Sequence, residues 1–210
     1  MVCEGRIDLA ASCTGLIKPK SNLVLGEHLQ AGDSIILLHS SGIHANGITL
    51  ARAIAQTLSA GYSTVMPDGR LYGEALLDPT VLYPQAVRSL QTAGIPIKYM
   101  SNITGHGWRK LMRHPGEFTY TVHSVPPVPA VLQFMVDQGP VDITEAYGSL
   151  NMGAGFAVLV GHEDEQRAVD RLRQAGFEAL AAGTVTAGEK KVVIEPLGIT
   201  FGADTLQLRG

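Results

Sequence analysis

Three short segments of the chain combine glycine with Ser, Thr, Asn or His, the residue types that hold anions and other polar ligands. They are Ser40-Ser41-Gly42-Ile43-His44-Ala45-Asn46-Gly47, Asn102-Ile103-Thr104-Gly105-His106-Gly107 and Asn151-Met152-Gly153-Ala154-Gly155. Glycine exposes backbone N–H groups, and short polar side chains add further donors, so such a segment at a helix N-terminus suits a phosphate or a carboxylate. Taken singly, each segment is more typical of a structural turn. The presence of three favours a shared pocket, and both interpretations stay open.

Other catalytic patterns are absent from the sequence. There is no GxxxxGK[ST] loop, no dinucleotide fingerprint, no HExxH and no GxSxG elbow. A Ser/His/Asp triad stays open, because its members need not be close in sequence. The acidic run Glu163-Asp164-Glu165 is interpreted as the solvated start of a helix rather than a pair of catalytic carboxylates. No metal-binding set of residues is predicted.

Composition narrows the class of protein further. The 210 residues carry a formal charge of −3 and are 45% hydrophobic, which is typical of a folded globular chain. The only basic cluster, Arg109, Lys110 and Arg113, is too short to follow a nucleic-acid backbone. No apolar run has the roughly 18 residues of a membrane span. We therefore expect a cytoplasmic protein that binds neither nucleic acid nor membrane, with Cys3 and Cys13 as small buried side chains.

Apolar periodicity and turn residues predict alternating strands and helices. Strands are predicted at 6–19, 34–38, 97–100, 118–122, 156–160 and 191–195, and helices at 48–61, 79–94, 104–113, 126–139 and 163–176. Residues 62–78 are predicted to be a loop, and Trp108 is predicted to be a core anchor rather than a base-stacking residue. The predicted fold class is α+β, with helices packed around a mixed sheet.

The order of these segments resembles one enzyme family. GDSIILLHSSGIHANGITLARAI, GEALLDPTVLYPQAV, NITGHGWRKLMR and EAYGSLNMGAGFAVLV resemble, in that order, the C-terminal domain of phosphoribosylformylglycinamidine cyclo-ligase, the aminoimidazole ribonucleotide synthetase of purine biosynthesis. The resemblance covers the chain from about Arg6 to Ile194. The chain departs from the family at Asn102 and His106, since the family commonly has H-[IL]-T-G-G-G there.

This resemblance implies a two-part organisation. Residues 1–22 resemble the last strand and linker of an otherwise missing N-terminal ATP-binding domain, and residues 23–210 resemble the C-terminal domain. ATP and Mg²⁺ are implied as cofactors, bound mainly by the missing domain. The implied reaction is the ATP-dependent conversion of formylglycinamidine ribonucleotide to aminoimidazole ribonucleotide. Implied partners are the ribonucleotide substrate, a separately encoded ATP-binding domain and, in the full-length family, a second copy in a homodimer. The chain is expected to be inactive alone.

The resemblance also implies roles for the glycine-bearing segments. His44 and Asn46 are expected to orient the substrate as catalytic residues. The expected substrate and phosphate contacts are Ser40, Ser41, Gly42, Gly47, Thr104, Gly105, His106, Gly107, Asn151 and Gly153. Backbone N–H groups from Ser41 to Gly47 are expected to hold a phosphate.

Two alternatives stay open. One is another ATP-using member of the same superfamily, of the selenophosphate synthetase, thiamine-phosphate kinase or hydrogenase-maturation type. The other is a relative without catalytic activity that binds a ligand or a partner chain.

Overall fold

A single seven-stranded sheet organises residues 11–206, the part of the chain that the computed structural model describes. The strands are β1 Ser34–His39, β2 Ile97–Asn102, β3 Phe118–Val122, β4 Ala154–Val160, β5 Ala179–Ala187, β6 Lys191–Ile194 and β7 Ile199–Gly202. Their spatial order is β2-β4-β1-β5-β3-β6-β7. Neighbouring strands are antiparallel except β3 and β6, which are parallel. The prediction of a mixed sheet in an α+β fold is confirmed.

Helices cover both faces of this sheet. They are α1 Ile48–Thr57, α2 Tyr72–Ala75, α3 Pro84–Thr92, α4 Ala130–Gln138, α5 Ile143–Ser149 and α6 Glu165–Gln174, together with a 3₁₀ helix at Gly107–Arg113. Pro84 lies in the first turn of α3, where its missing N–H leaves no hydrogen bond unmade. No helix within residues 11–206 is both long enough and apolar enough to cross a bilayer.

Strand β1 lies between two hydrophobic cores, which explains its unbroken apolar sequence. Ile36 and Leu38 face the core that includes residues of α3 and α6. Ile35 and Leu37 face the larger core, which includes residues of α1, α4, α5 and the 3₁₀ helix Gly107–Arg113. Because side chains alternate across a strand, a strand buried on both faces is apolar at every position. The same 3₁₀ helix supplies Trp108, which is fully buried, so the prediction of a core anchor is confirmed.

Several sequence predictions need correction. Residues 11–17 form no strand, so a strand predicted at 6–19 does not continue past residue 10, and its earlier part lies outside the described residues. Cys13 is exposed rather than buried, and Cys3 lies outside the described residues. The segment 62–78 is not all loop, because it contains α2. Strands β5 and β7 and helix α5 were not predicted.

Candidate functional site

The sheet brings the three glycine-bearing segments to one end. The first follows β1, the second follows β2, and the third leads into β4. Both β1 and β2 pair with β4 in antiparallel register, with His39 opposite Ala154 and Asn102 opposite Phe156. The ends of β1 and β2 therefore lie beside the start of β4.

Asn151 ties the first segment to the third. Its Oδ1 accepts hydrogen bonds from the Ser40 hydroxyl at 2.7 Å and the Gly153 N–H at 3.1 Å, and its Nδ2 donates to the Gly42 carbonyl at 2.8 Å. The Trp108 Nε1–H donates to the Asn151 carbonyl at 2.9 Å. Asn151 is only 2% exposed, so it lies beneath the loops rather than at their surface. In this structure Asn151 positions the loops.

The second segment meets the first at Asn46. The Asn46 Nδ2 donates to the Ser149 carbonyl at 2.7 Å, and a Cβ placed on Gly105 would lie 3.1 Å from the Asn46 Oδ1. Gly107 has a φ of +52°, and a Cβ there would lie 2.1 Å from the carbonyl oxygen of Tyr147. Glycine is therefore required at position 107, because the backbone there lies directly against the backbone of Tyr147. This contact fixes the second segment against α5.

His44 closes the first loop on itself. Its Nε2 accepts from the Ser41 N–H at 3.1 Å, while the Ser41 hydroxyl donates to the Pro79 carbonyl at 2.6 Å. The accepting Nε2 carries no proton, so the ring proton lies on Nδ1. Burial lowers the pKa of His44 from its ordinary 6.5, which also favours the neutral imidazole.

A cleft of about 630 Å³ opens where the loops meet α1. Asn46, Gly47 and Gly105 line it, together with the start of α1 and residues of α5 that include Glu145. Gly47 precedes α1 in a left-handed conformation and supplies no side-chain cap. The N–H groups of Ile48, Thr49 and Leu50 consequently have no acceptor within residues 11–206. An uncapped helix N-terminus at a cleft is a suitable place for an anion.

The remaining predicted residues lie apart from this cleft. Ser40 and Ser41 line a second cavity of about 310 Å³, which also contains the ion pair of Arg70 and Asp78 at 2.6 Å. The Ser41 N–H is already bonded to His44 and the Asn46 N–H to the Ile43 carbonyl, so these two N–H groups of the first segment are not available to an anion. The sequence alone did not reveal the bond between Ser41 and His44, and the phosphate contact expected from the other N–H groups up to Gly47 stays a prediction.

The 3₁₀ helix Gly107–Arg113 supplies residues that sequence reasoning did not assign to the site. The guanidinium of Arg109 donates to the carbonyls of His106, Gly148 and Thr205, joining three parts of the chain. Lys110 is buried beneath the second segment and donates to Asn102 Oδ1 at 3.3 Å and to the Thr104 hydroxyl oxygen. In the sequence, Arg109 and Lys110 could have been noticed as members of the basic cluster that follows Gly105-His106-Gly107.

Across residues 11–206, no group of three His, Cys, Asp or Glu side chains is placed to hold a metal ion.

The structure is an α+β domain with a glycine-lined cleft at one end of its sheet, and sequence comparison identifies the family. The sequence profile described as AIR synthase related protein, C-terminal domain, matches residues 30–195. The chain belongs to this family.

Curated relatives carry the name expected from the sequence resemblance. Phosphoribosylformylglycinamidine cyclo-ligase of Rippkaea orientalis is 33% identical over 196 residues, covering 91% of the chain and 57% of the relative. The protein of the same name from Synechocystis is 34% identical over 191 residues, covering 88% of the chain and 55% of the relative. The resemblance to this family is confirmed. The chain spans little more than half the length of these relatives.

Solved structures share the fold at lower identity. The hydrogenase maturation protein HypE is 18% identical, with a TM-score of 0.58, covering 89% of the chain and 56% of that structure. Phosphoribosylformylglycinamidine synthase II of Thermotoga maritima is 12% identical, with a TM-score of 0.51, covering 90% of the chain and 28% of that structure. These similarities support the fold alone.

Proposed function

We propose that the chain is the substrate-side domain of an ATP-dependent cyclo-ligase that converts formylglycinamidine ribonucleotide to aminoimidazole ribonucleotide in purine biosynthesis. The observation that carries the proposal is the cleft at the uncapped N-terminus of α1, flanked by Asn46 and Gly105. Relatives named for this reaction align along nearly the whole chain.

In this proposal the residues of the cleft bind and orient the ribonucleotide. The N–H groups of Ile48, Thr49 and Leu50 donate to its phosphate, and the partial positive charge of the helix terminus favours that anion. Asn46 contacts the substrate while its Nδ2 stays anchored to Ser149. His44 holds the shape of the first loop through its bond to Ser41. ATP, when bound, supplies the phosphoryl group that makes the formyl-amide oxygen a leaving group.

The proposal extends to groups outside the described residues. ATP and Mg²⁺ are held mainly by an N-terminal domain of the family type, with the boundary near residues 22 and 23. That domain is encoded with this chain or separately, and the complete enzyme is a cytoplasmic homodimer. The present residues contribute the substrate half of the site.

The direct test is calorimetric titration of formylglycinamidine ribonucleotide into the chain without ATP, with the dephosphorylated riboside as the matched ligand. We expect the ribonucleotide to bind at least ten times more tightly, because charge-assisted hydrogen bonds to a phosphate each contribute about 1.5–3 kcal/mol. Equal affinities, or no binding of either ligand, would contradict the assignment of a phosphate to this cleft.

Asn46→Ala tests the contact between side chain and ligand. We expect ribonucleotide affinity to fall by about 1–3 kcal/mol, the usual cost of losing a buried hydrogen bond. Gln56→Ala, an exposed change on α1, is the matched control and should bind as the parent chain does. Thermal unfolding of both variants separates lost contact from lost structure, since Asn46 also bonds to Ser149. Unchanged ribonucleotide affinity in a folded Asn46→Ala variant would show that the Asn46 side chain makes no contact with the ligand.

A further inference from the structure

Lys110 is a buried cation whose hydrogen-bond partners carry no charge. The residue is 6% exposed, and its ammonium donates to the amide oxygen of Asn102 and the hydroxyl oxygen of Thr104. No carboxylate within residues 11–206 lies within 4.0 Å of its nitrogen. An ammonium has three N–H donors, so one is left without an acceptor in this part of the chain.

The surroundings of Lys110 add positive charge rather than cancelling it. Arg109 and Arg113 belong to the same 3₁₀ helix, and neither forms an ion pair within residues 11–206. Arg113 lies 3.4 Å from His106 Nδ1. Burial lowers the pKa of Lys110, and the charge of Arg113 lowers it further. Burying an unpaired charge is costly unless an opposite charge compensates it.

The second segment covers Lys110 and continues to the cleft. Because the Thr104 hydroxyl oxygen accepts from Lys110, its hydrogen remains free to donate. Asn102 is exposed and Thr104 is half-buried, so both lie nearer the surface than Lys110. The next residue, Gly105, lines the cleft beside Asn46. A cation, a hydroxyl donor and the exposed Arg113 therefore belong to one short stretch of the chain.

We propose that Lys110, the Thr104 hydroxyl and Arg113 form a binding site for a phosphate-class oxyanion, separate from the N-terminus of α1. Lys110 supplies the compensating charge, Thr104 a directed donor, and Arg113 an exposed second cation that attracts the anion. The site does not depend on which ribonucleotide the cleft binds, so it can be tested apart from the proposed function.

Inorganic phosphate is the probe, added to the chain during thermal unfolding at an ionic strength held constant with chloride. A ligand that binds only the folded state raises Tm as its concentration rises. We expect Tm to rise with phosphate in the parent chain, and at least half of the rise to be lost in Lys110→Met and in Arg113→Gln; the rise that remains belongs to the N-terminus of α1. Arg88→Gln removes an exposed charge on α3, on the opposite face of the sheet, and should keep the full rise.

The comparison uses the dependence of Tm on phosphate, so a change in basal stability does not affect it. A parent chain whose Tm ignores phosphate, or a Lys110→Met variant that keeps the full rise, would overturn the site. If Lys110→Met does not fold, the Arg113→Gln variant tests the site instead. Loss of at least half of the phosphate-dependent increase in Tm in this variant supports the site, and a full increase overturns it.

Discussion

Most polar side chains in the three segments are engaged in holding the loops. Asn151 makes three side-chain hydrogen bonds beneath the surface, and the Ser41 hydroxyl and N–H are taken by Pro79 and His44. The donors that the two proposals assign to ligands are three N–H groups of α1 and the Thr104 hydroxyl. Residue type alone therefore did not distinguish contacts to a ligand from contacts that shape the site.

The neutral state of His44 makes the first loop sensitive to acid. Its pKa in the folded chain is below the ordinary 6.5, so the unfolded chain binds the proton more readily. The stabilisation is complete above pH 6.5 and is lost as pH falls towards the folded pKa. We expect His44→Asn, which tolerates the left-handed φ of +57°, to reduce the decline of Tm between pH 7 and pH 5. Parallel Tm profiles for the two proteins would contradict this.

At the scale of elements, the glycine segments are held by close contact between backbones. Gly107 begins the 3₁₀ helix that carries Trp108 and Lys110, directly against Tyr147 of α5. No side chain fits between Gly107 and the backbone of Tyr147. The position of the second segment relative to the cleft therefore depends on glycine at position 107.

Gly107→Ala should destabilise the chain strongly. The left-handed φ alone costs an alanine about 1–2 kcal/mol, and the added Cβ would meet a backbone oxygen that cannot easily move. Gly94→Ala is the matched control, because Gly94 has a φ of +65° with nothing within 4 Å of its Cβ position. Urea unfolding should show a larger loss for Gly107→Ala, and equal losses would show that the close approach to Tyr147 carries no cost.

The elements that sequence patterns predicted are those with strong apolar periodicity or an unbroken apolar run. Strand β1 and helices α3 and α6 follow this rule. Strand β5 was missed because its sequence, ALAAGTVTA, is rich in Ala and Gly, and its position between β1 and β3 decides its conformation. Ile48 has apolar spacing but is 43% exposed, since it lines the cleft. The sequence pattern left open whether the three segments share a location; the sheet brings them to one end, and their hydrogen bonds depend on pairings between distant segments.

The whole molecule presents half of a proposed active site. Because the proposed function assigns ATP and Mg²⁺ mainly to an N-terminal domain, we expect the chain alone to form no ADP from Mg²⁺-ATP, with or without formylglycinamidine ribonucleotide. Chromatographic detection of ADP is the measurement, with the cyclo-ligase of Synechocystis as positive control. Ribonucleotide-dependent ADP formation by the chain would contradict the proposed division of the site.

The central position of β1 also constrains how the chain is made. Ser34 pairs with Val160 of β4 and with Thr184 of β5. Strand β1 therefore cannot complete its pairing until these much later parts of the chain have been synthesised. Contacts between residues far apart in sequence slow folding. On the ribosome, β1 would emerge long before either neighbour, leaving both its apolar faces uncovered. A nascent chain stalled before β5 is therefore the species most exposed to aggregation, and the one for which chaperone binding should be strongest.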